Sequence, residues 1–289
     1  MRYLLCLLLL CACQKSVPLS HFAGTAFKIP YHIQIGHQLS DEEKEIACHA
    51  IEEVFTLIDT TFNHWNPHSE ISRFNDCSEN TPFTSSLYLT HLLKLSQTIS
   101  DITQNRFDPT IGVLTHALKT DQQIDGPCGI NHLKIEDTHL IKTTPLRIDL
   151  DGISKGHAID LLIQKLASLK HKNIYVEWGG EMRAIGGHPS GRPWRVLIRG
   201  AEETQIDLTD CAVATSGDQL QQYGDFTHII DPQTKKALPT RGHSITVKAP
   251  SAALADGLAT ALMLYTADEI KELKHNLPNI EVWNENGIL

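Results

Sequence analysis

Two carboxylates, two glycines, a lysine and a histidine are concentrated between Asp149 and His157. A glycine-containing turn ahead of a helix directs backbone N–H groups at an anion, and the helix dipole and Lys155 add to that attraction. The segment therefore indicates a phosphate or pyrophosphate site. It is not a Walker loop, because no Ser or Thr follows the lysine, and it does not match the dinucleotide fingerprint. An ordinary strand-to-helix connection, with a glycine at positive φ, explains the same residues equally well.

The same segment satisfies a hydrolase pattern. Gly152, Ser154 and Gly156 have the GxSxG spacing of a nucleophile elbow, which would make Ser154 the nucleophile. The pattern is short, and the sequence has no HGGG-like segment for an oxyanion hole. The apolar stretch before the pattern also ends too early to place Ser154 at an elbow, so a serine hydrolase ranks second.

Asp256 and Thr260 are four residues apart and would share one face of a helix. A carboxylate and a hydroxyl are hard oxygen ligands of the kind that Mg²⁺ takes. Judged by spacing alone, an acid near a helix start and a packed threonine are the better explanation.

Two further residues could take part in chemistry. His228 lies at the mouth of a short predicted strand, where a histidine can act as a general base near neutral pH. Trp65 lies in a polar loop and offers an aromatic face to a flat ring. A lone histidine is more often structural, and such a tryptophan is usually a partly buried core residue.

These residues must be positioned by a mixture of helices and strands. A capping box at Ser40 and Glu43 begins a helix that continues to Ile58. Apolar periodicity predicts further helices at residues 89–99, 155–169 and 251–264, and a polar loop at 62–75. Strands are predicted at residues 21–35, 147–150, 173–178, 194–198, 228–230 and 243–248. Because strands and helices do not alternate regularly, we expect an α+β fold.

The composition indicates one globular domain or two closely packed lobes. The chain has 289 residues, of which 41% are hydrophobic and 20% charged, so it can bury a sizeable core. Its net charge of -9 provides no basic field for phosphate backbones, which makes nucleic acid an unlikely partner.

The N-terminus is typical of an exported lipoprotein. Arg2 is followed by a short apolar run, and residues 10–13 resemble a bacterial lipobox with Cys13 as the lipidated residue. We therefore expect a signal peptide at residues 1–13, a domain at residues 14–289, and a membrane-anchored protein on the periplasmic, extracytoplasmic side. An ordinary secretory signal and an apolar first strand are the alternatives. The remaining cysteines show no metal-binding spacing, and the sequence leaves a single disulfide among them as an open alternative.

Taken in order, these segments resemble the ApbE-type FAD:protein FMN transferases, a flavin-handling family rich in lipoproteins. The resemblance covers nearly all of the mature chain. It rests on Gly24-Thr25, Ser69 to Asn75, Phe107 to Thr110, Asp149 to Asp160, Gly179-Gly180-Glu181, Ala214 to Asp218, His228 to Pro232 and Ala255 to Ala261.

The resemblance implies an enzyme that transfers the FMN half of FAD to a Ser or Thr hydroxyl of an acceptor protein, releasing AMP. It implies a single compact domain of mixed or antiparallel sheets flanked by helices, with a flavin cleft. His228 would be the catalytic base. Mg²⁺ would be held at Gly152, Asp256, Ala259 and Thr260. FAD would contact Ala23, Trp65, Arg106, Phe107, Asp108, Asp149, Lys155 and Ile230.

The expected acceptors are extracytoplasmic subunits of flavin-dependent electron-transfer complexes, such as sodium-translocating quinone reductases. The chain departs from the family pattern at Ala23, where Met is common, at Gln219, where an aromatic residue is usual, and at Thr234-Lys235, where Thr-Gly is common. An FAD pyrophosphatase that gives FMN and AMP, and a flavin-binding lipoprotein without turnover, remain alternatives.

Overall fold

The computed structural model describes residues 18–198, 203–219 and 222–289. The predicted signal peptide, with its lipidation residue Cys13, lies outside these ranges. Within them, no helix is both long enough and apolar enough to cross a membrane. The four cysteines in these ranges, Cys48, Cys77, Cys128 and Cys211, are free thiols.

The helices are set by local sequence. Ser40 and Glu43 form the predicted capping box, and the first helix then buries one apolar face along its length. Serine or threonine side chains also cap α2, α3, α6 and α7. The helices of the described ranges are α1 Asp41–Thr61, α2 Glu70–Asp76, α3 Leu87–Ile102, α4 Gly112–Lys119, α5 Ser154–Ser168, α6 Ala252–Leu262 and α7 Ala267–Lys274.

Within the described ranges, the strands form one large sheet and three small ones, and neighbouring strands are antiparallel. The large sheet has eight strands in the order β1-β2-β6-β7-β10-β14-β15-β16. Its strands are β1 Ser20–Ala26, β2 Ile29–Ile35, β6 Ile174–Trp178, β7 Glu181–Ile185, β10 Cys211–Gly217, β14 Ser244–Ala249, β15 Glu281–Asn284 and β16 Gly287–Ile288.

The small sheets lie around this frame. They are β3 Phe83–Thr84 with β4 Leu133–Glu136 and β5 His139–Lys142, β8 Trp194–Ile198 with β9 Thr204–Leu208, and β11 Gln222–Tyr223 with β12 Phe226–Asp231 and β13 Lys236–Pro239. The main core lies between the large sheet and helices α1, α3, α5 and α6. A second apolar cluster joins the β8–β9 hairpin to the sheet.

The predicted α+β fold is confirmed, but three elements differ from the prediction. Residues 21–35 are not one strand, because the chain turns at Phe27 and Lys28 to form β1 and β2. The predicted loop at 62–75 contains α2, which Ser69 caps. Residues 147–150 are not a ladder strand, and Arg147 forms only an isolated bridge with Ile111.

The 147–150 error has a clear physical cause. Ile148 has the backbone hydrogen bonds of an extended residue, but its partner is the Asn75 side chain. The Ile148 N–H donates to Asn75 Oδ1 at 2.6 Å, and Asn75 Nδ2 donates to the Ile148 carbonyl at 2.9 Å. A side chain therefore takes the place of a neighbouring strand.

Candidate active site

A buried group of one lysine and two acidic residues lies where α5, α6 and β7 meet. In this Lys155 group, Lys155 Nζ lies 2.6 Å from Glu181 Oε1, and Asp256 is the third member. The Glu181 and Asp256 residues are 2% and 3% exposed. Glu181 Oε2 is buried and has no hydrogen-bond partner. Burying two carboxylates costs free energy unless positive charge or hydrogen bonds offset the loss of water.

Short local features place these side chains. Gly179 and Gly180, with φ of 66° and 101°, make a two-residue turn that brings Glu181 to the start of β7. Gly156 lets α5 approach α6, since a Cβ at this position would overlap the Ala252 carbonyl. The two glycine features bring the lysine and both acids together.

A carboxylate of the protein itself already caps the first turn of α5. Asp256 Oδ2 accepts a hydrogen bond from the Gly156 N–H at 2.9 Å, and the Ser154 N–H donates to the Leu150 carbonyl at 2.8 Å. The expectation that this turn leaves its N–H groups for a phosphate therefore needs correction. A protein carboxylate from α6 complements the helix dipole instead.

The capping is reciprocal. Asp160, on α5, accepts hydrogen bonds from the N–H groups of Ala252 and Ala253 at the start of α6, at 2.8 and 2.9 Å. Each helix therefore supplies the carboxylate that caps the other.

The charges of the Lys155 group do not balance. Burial, with the negative charge of Asp256, raises the pKa of Glu181 to about 7. Burial also raises the pKa of Asp256. Burial opposes the charge of Lys155, but Glu181 and Asp256 outweigh it and raise the pKa of the lysine. Two buried acids share one cation, so the group is short of positive charge.

One member of this group, Asp256, is also a predicted metal ligand. The Thr260 hydroxyl donates to the Gly152 carbonyl at 3.4 Å and lies 3.2 Å from the Ser216 hydroxyl. Asp256 is one helical turn before Thr260 on α6. Ala259 is fully buried in the main core, so only its backbone could face a ligand. Gly152 does not have the expected positive φ, and a Cβ there would lie 3.1 Å from Thr260.

A second lysine also lies between two carboxylates. In this Lys119 group, Lys119 Nζ is 3.1 Å from Asp151 Oδ2 and 4.0 Å from Asp149 Oδ2. Asp149 also accepts hydrogen bonds from the Thr115 hydroxyl at 2.7 Å and the Asp151 N–H at 2.9 Å. Burial opposes ionisation of Asp149, but Lys119, His64 and these hydrogen bonds outweigh it and lower its pKa.

The predicted ring-binding residue Trp65 borders the Lys119 group. Its side chain is 70% exposed, with Lys119 Nζ 4.9 Å from the ring centroid and the His64 ring at 4.9 Å. His64, Asp149 and Asp151 bring ligand atoms within 4.8 Å of one another, a geometry that could hold a cation. Lys119 already supplies positive charge to the two acids there.

Other predicted flavin contacts are divided between surface and interior. Ala23 is exposed on β1. The Phe107 and Ile230 side chains are 5% and 2% exposed and pack into apolar clusters, so their backbones are what a ligand could meet. Asp108 is buried, which raises its pKa, and its Oδ1 accepts hydrogen bonds from the Thr110 N–H and hydroxyl.

Arg106 is held by the C-terminal part of the chain. It donates to the Leu264 carbonyl at 2.7 Å, pairs with Glu269 at 3.0 Å and stacks over the Tyr265 ring at 3.9 Å. These contacts occupy its guanidinium, so it is not part of either lysine group.

His228 lies on β12, half buried between the buried Thr227 and Ile229. Its strand packs against α4, the helix that carries Thr115 and Lys119. The proposed base is thus on the strand next to the Lys119 group.

The serine hydrolase alternative is not supported by this geometry. Ser154 is the first residue of α5, and the segment before it is a turn rather than a strand. A nucleophile elbow requires a sharp strand-to-helix turn.

Three residues of the two groups were missed from the sequence: Glu181 as the partner of Lys155, and Lys119 and His64 beside the acids. The double glycine before Glu181 was an available signal for a two-residue hairpin. The positions of Lys119 and His64 depend on contacts between segments far apart in sequence.

A family model described as the ApbE family matches residues 24–283. An FAD:protein FMN transferase of Chlamydia pneumoniae is 36% identical over 286 residues, covering 91% of this chain and 90% of that protein. The FAD:protein FMN transferase of Vibrio cholerae is 31% identical over 283 residues, covering 89% of this chain and 85% of that protein.

Solved structures show the same fold. The apo flavinyl transferase ApbE of Pseudomonas stutzeri superposes with a TM-score of 0.82 and 25% identity, over 92% of this chain and 90% of that one. The flavin transferase ApbE of Vibrio cholerae gives a TM-score of 0.80 and 28% identity, over 94% and 96% of the two chains.

Proposed function

The chain belongs to the ApbE family, and on that basis we propose that it transfers the FMN half of FAD to a Ser or Thr hydroxyl of an acceptor protein and releases AMP. Transfer of flavin from FAD to protein is the activity for which its curated relatives are named. The structural observation that carries the proposal is the Lys155 group, a buried pair of acids that share one lysine.

The reaction is an in-line displacement at phosphorus. The acceptor hydroxyl oxygen forms a bond to the FMN phosphorus, and the bond from that phosphorus to the bridging oxygen breaks. AMP leaves with the bridging oxygen. His228 takes the hydroxyl proton, which is the role of a general base in such a transfer.

The predicted metal ligands suit a hard divalent cation. The Asp256 carboxylate, the Thr260 hydroxyl and the Gly152 carbonyl are oxygen donors in neighbouring positions, and we propose that they hold Mg²⁺ with Ala259 packed behind them. Burial raises the pKa values of Glu181 and Asp256, so a nearby cation would favour their ionised forms, which supports this assignment. When bound, Mg²⁺ would neutralise charge on the phosphates.

The chain's own side chains would hold FAD. Lys155 would pair with the pyrophosphate, and the exposed Trp65 face would stack on a flat ring. Asp149 would accept hydrogen bonds from the cofactor. The remaining contacts are proposed at Ala23, Arg106, Phe107, Asp108 and Ile230.

Metal binding is tested by its effect on stability. Saturating Mg²⁺, at about 100 times its Kd, should raise the free energy of unfolding by about 2.7 kcal/mol. Asp256→Asn should abolish this gain, whereas Asp151→Asn, the matched change in the Lys119 group, should keep it. Urea unfolding with and without Mg²⁺ measures both. Loss of the gain in Asp151→Asn alone would move the metal to the His64, Asp149 and Asp151 cluster.

Transfer is tested with FAD, Mg²⁺ and the extracytoplasmic domain of a flavinylated quinone-reductase subunit. The expected result is a metal-dependent mass gain of the acceptor equal to FMN, lost in Asp256→Ala. Free FMN and AMP without an acceptor adduct would instead identify a pyrophosphatase. Binding of FAD with no turnover at all would identify a flavin carrier.

We also propose that the mature protein is anchored at the extracytoplasmic face of a membrane through a lipid on Cys13, where it meets its acceptor subunits. The support is the lipobox-like segment at residues 10–13. Cells expressing the full chain with radiolabelled palmitate should yield a labelled protein in the membrane fraction. Cys13→Ser should lose the label. An unlabelled wild-type chain would refute the anchor.

A further inference from the structure

Lys155 has two acidic neighbours but pairs with only one of them. Its Nζ lies 2.6 Å from Glu181 Oε1, and the two form an ion pair. Asp256 and Lys155, both within the described ranges, form no ion pair with each other. The negative charge of Asp256 nevertheless helps to raise the pKa of the lysine. The fold therefore keeps the ammonium at one acid although a second acid attracts it.

Asp256 is within reach of the lysine side chain. Its Oδ2 accepts a hydrogen bond at 2.9 Å from the N–H of Gly156, the residue that follows Lys155. A lysine has a flexible four-carbon stem and three rotatable N–H donors. Such a stem is long enough to bring the ammonium to a carboxylate that caps the neighbouring residue. The partner on β7 thus decides where the ammonium lies.

Glu181 is fixed in place by the large sheet. It is the first residue of β7 and pairs in register with Trp178 across the two-glycine turn. A Cβ on Gly179 would lie 3.5 Å from Glu181 Oε2 and 3.7 Å from Lys155 Cδ, so the turn packs directly against the ion pair. The Glu181 side chain is 3% exposed and that of Lys155 is 31% exposed. The glutamate is therefore a rigid, buried partner, and the lysine is the member that a ligand can reach.

An ammonium on Asp256 would compete with a metal ion for the same carboxylate, because a lysine and a divalent cation repel each other. The same movement would withdraw the lysine from a phosphate. We propose that Glu181 is a positioning residue, which holds the Lys155 ammonium away from Asp256 and so leaves the Asp256 carboxylate to the metal and the ammonium to a phosphate. This proposal rests on the metal site of the proposed function.

Titration of Mg²⁺ into the protein without FAD tests this role. Glu181→Gln keeps the shape of the side chain but removes the charge that holds the lysine. The Kd for Mg²⁺ should therefore rise by about 10- to 100-fold, as it does when a residue that orients a metal ligand is changed. Without Lys155 there is no ammonium to misplace, so Lys155→Met combined with Glu181→Gln should bind Mg²⁺ as tightly as Lys155→Met alone. Isothermal titration calorimetry of wild type and the three variants measures this.

Two further variants separate positioning from charge. Glu181→Asp keeps the negative charge but withdraws it from the lysine, so its Kd for Mg²⁺ should also rise. This variant provides the test if Lys155→Met is too unstable to titrate, since it leaves both charges in the protein. Glu177→Gln is the matched control, because Glu177 precedes Trp178 on β6 and therefore lies on the opposite face of the sheet. It should leave the Kd for Mg²⁺ unchanged.

The outcomes distinguish this role from a purely structural or electrostatic one. A residue that only stabilises the fold would not lose its effect on Mg²⁺ binding when the lysine is removed. An equal rise in Kd with and without Lys155 would overturn the proposal, because Glu181 would then act on the cation by its own charge. An unchanged Kd in Glu181→Gln or in Glu181→Asp would overturn it too. A wild-type chain that binds no Mg²⁺ would overturn the proposed metal site as well.

Discussion

Lys155 and Lys119 each lie between two carboxylates, but the acids of the two groups differ in their hydrogen-bond partners and in their exposure to water. Asp149 has Lys119, the Thr115 hydroxyl and a backbone N–H as partners, and its pKa is lowered. Asp151, the other acid near Lys119, has its pKa raised by desolvation and by the charge of Asp149, but its side chain is half exposed to water and accepts a hydrogen bond from Lys119. Glu181, by contrast, has a buried oxygen with no partner, and burial raises its pKa to about 7.

The contrast lies in the hydrogen bonds and the water that each pair of acids has available. An acid that already has its hydrogen bonds gains little from a further cation. A buried acid whose ionised form is disfavoured gains from any positive charge that arrives. The Lys155 group would therefore gain more from an added cation than the Lys119 group would, which supports the metal and phosphate site proposed there.

The largest expected effect comes from removing each lysine. Lys155→Met leaves two buried acids with no cation and should lower the free energy of unfolding by about 3–5 kcal/mol at pH 8. Lys119→Met should cost less, about 1–3 kcal/mol, because Asp151 is half exposed to water and Asp149 keeps its hydrogen bonds from Thr115 and the Asp151 N–H. Urea unfolding of the two variants measures the difference. Equal losses would break the distinction between the groups.

The second effect concerns His157, two residues after Lys155. Burial lowers its pKa to about 4, and its Nε2 has no hydrogen-bond partner. The unfolded chain takes up the proton first, so His157 contributes a loss of stability of about 3 kcal/mol as the pH drops from about 6.5 to 4. Glu181, whose pKa is raised to about 7, acts in the opposite direction over much of this window, so the loss is measured as the difference between wild type and His157→Phe. His157→Phe should remove that loss, as measured by urea unfolding at several pH values. An unchanged pH profile would show that His157 is not desolvated.

The smallest effect is expected at the exposed edge of the Lys119 group. Trp65→Ala should leave stability within about 0.5 kcal/mol, because the side chain is 70% exposed. If Trp65 stacks on FAD, its loss should cost about 1–3 kcal/mol of binding, a rise in Kd of about 5- to 150-fold. Titration of FAD fluorescence measures this, with Leu87→Ala on α3 as the exposed control. An unchanged Kd would remove Trp65 from the flavin site.

Local patterns in the sequence predicted much of the fold. The capping box at Ser40 and the apolar stripe after it predicted α1, and periodicity predicted α3, α5 and α6. The strand prediction at residues 147–150 was wrong because buried and exposed residues also alternate where a side chain, that of Asn75, replaces a strand partner. Alternation records burial of one face and carries no information about the hydrogen-bonding partner.

The relative placement of candidate site residues could be predicted where their spacing is local. Asp256 and Thr260 are four positions apart on α6, so helical periodicity alone predicts that they share one face. The partnership of Lys155 with Glu181 instead depends on a helix, a strand and a turn that must all fold first. The contacts of Lys119 with Asp149 and Asp151 likewise require α4 to reach the α5 turn.

The reciprocal caps of α5 and α6 have a mechanical consequence. Asp160 of α5 holds the start of α6, and Asp256 of α6 holds the start of α5. Neither helix can slide along or rotate about its axis without breaking the cap of the other. The two helices therefore keep each other in register before any ligand arrives. A cation that binds between them would meet oxygen donors that are already aligned, so the protein would lose little conformational entropy on binding.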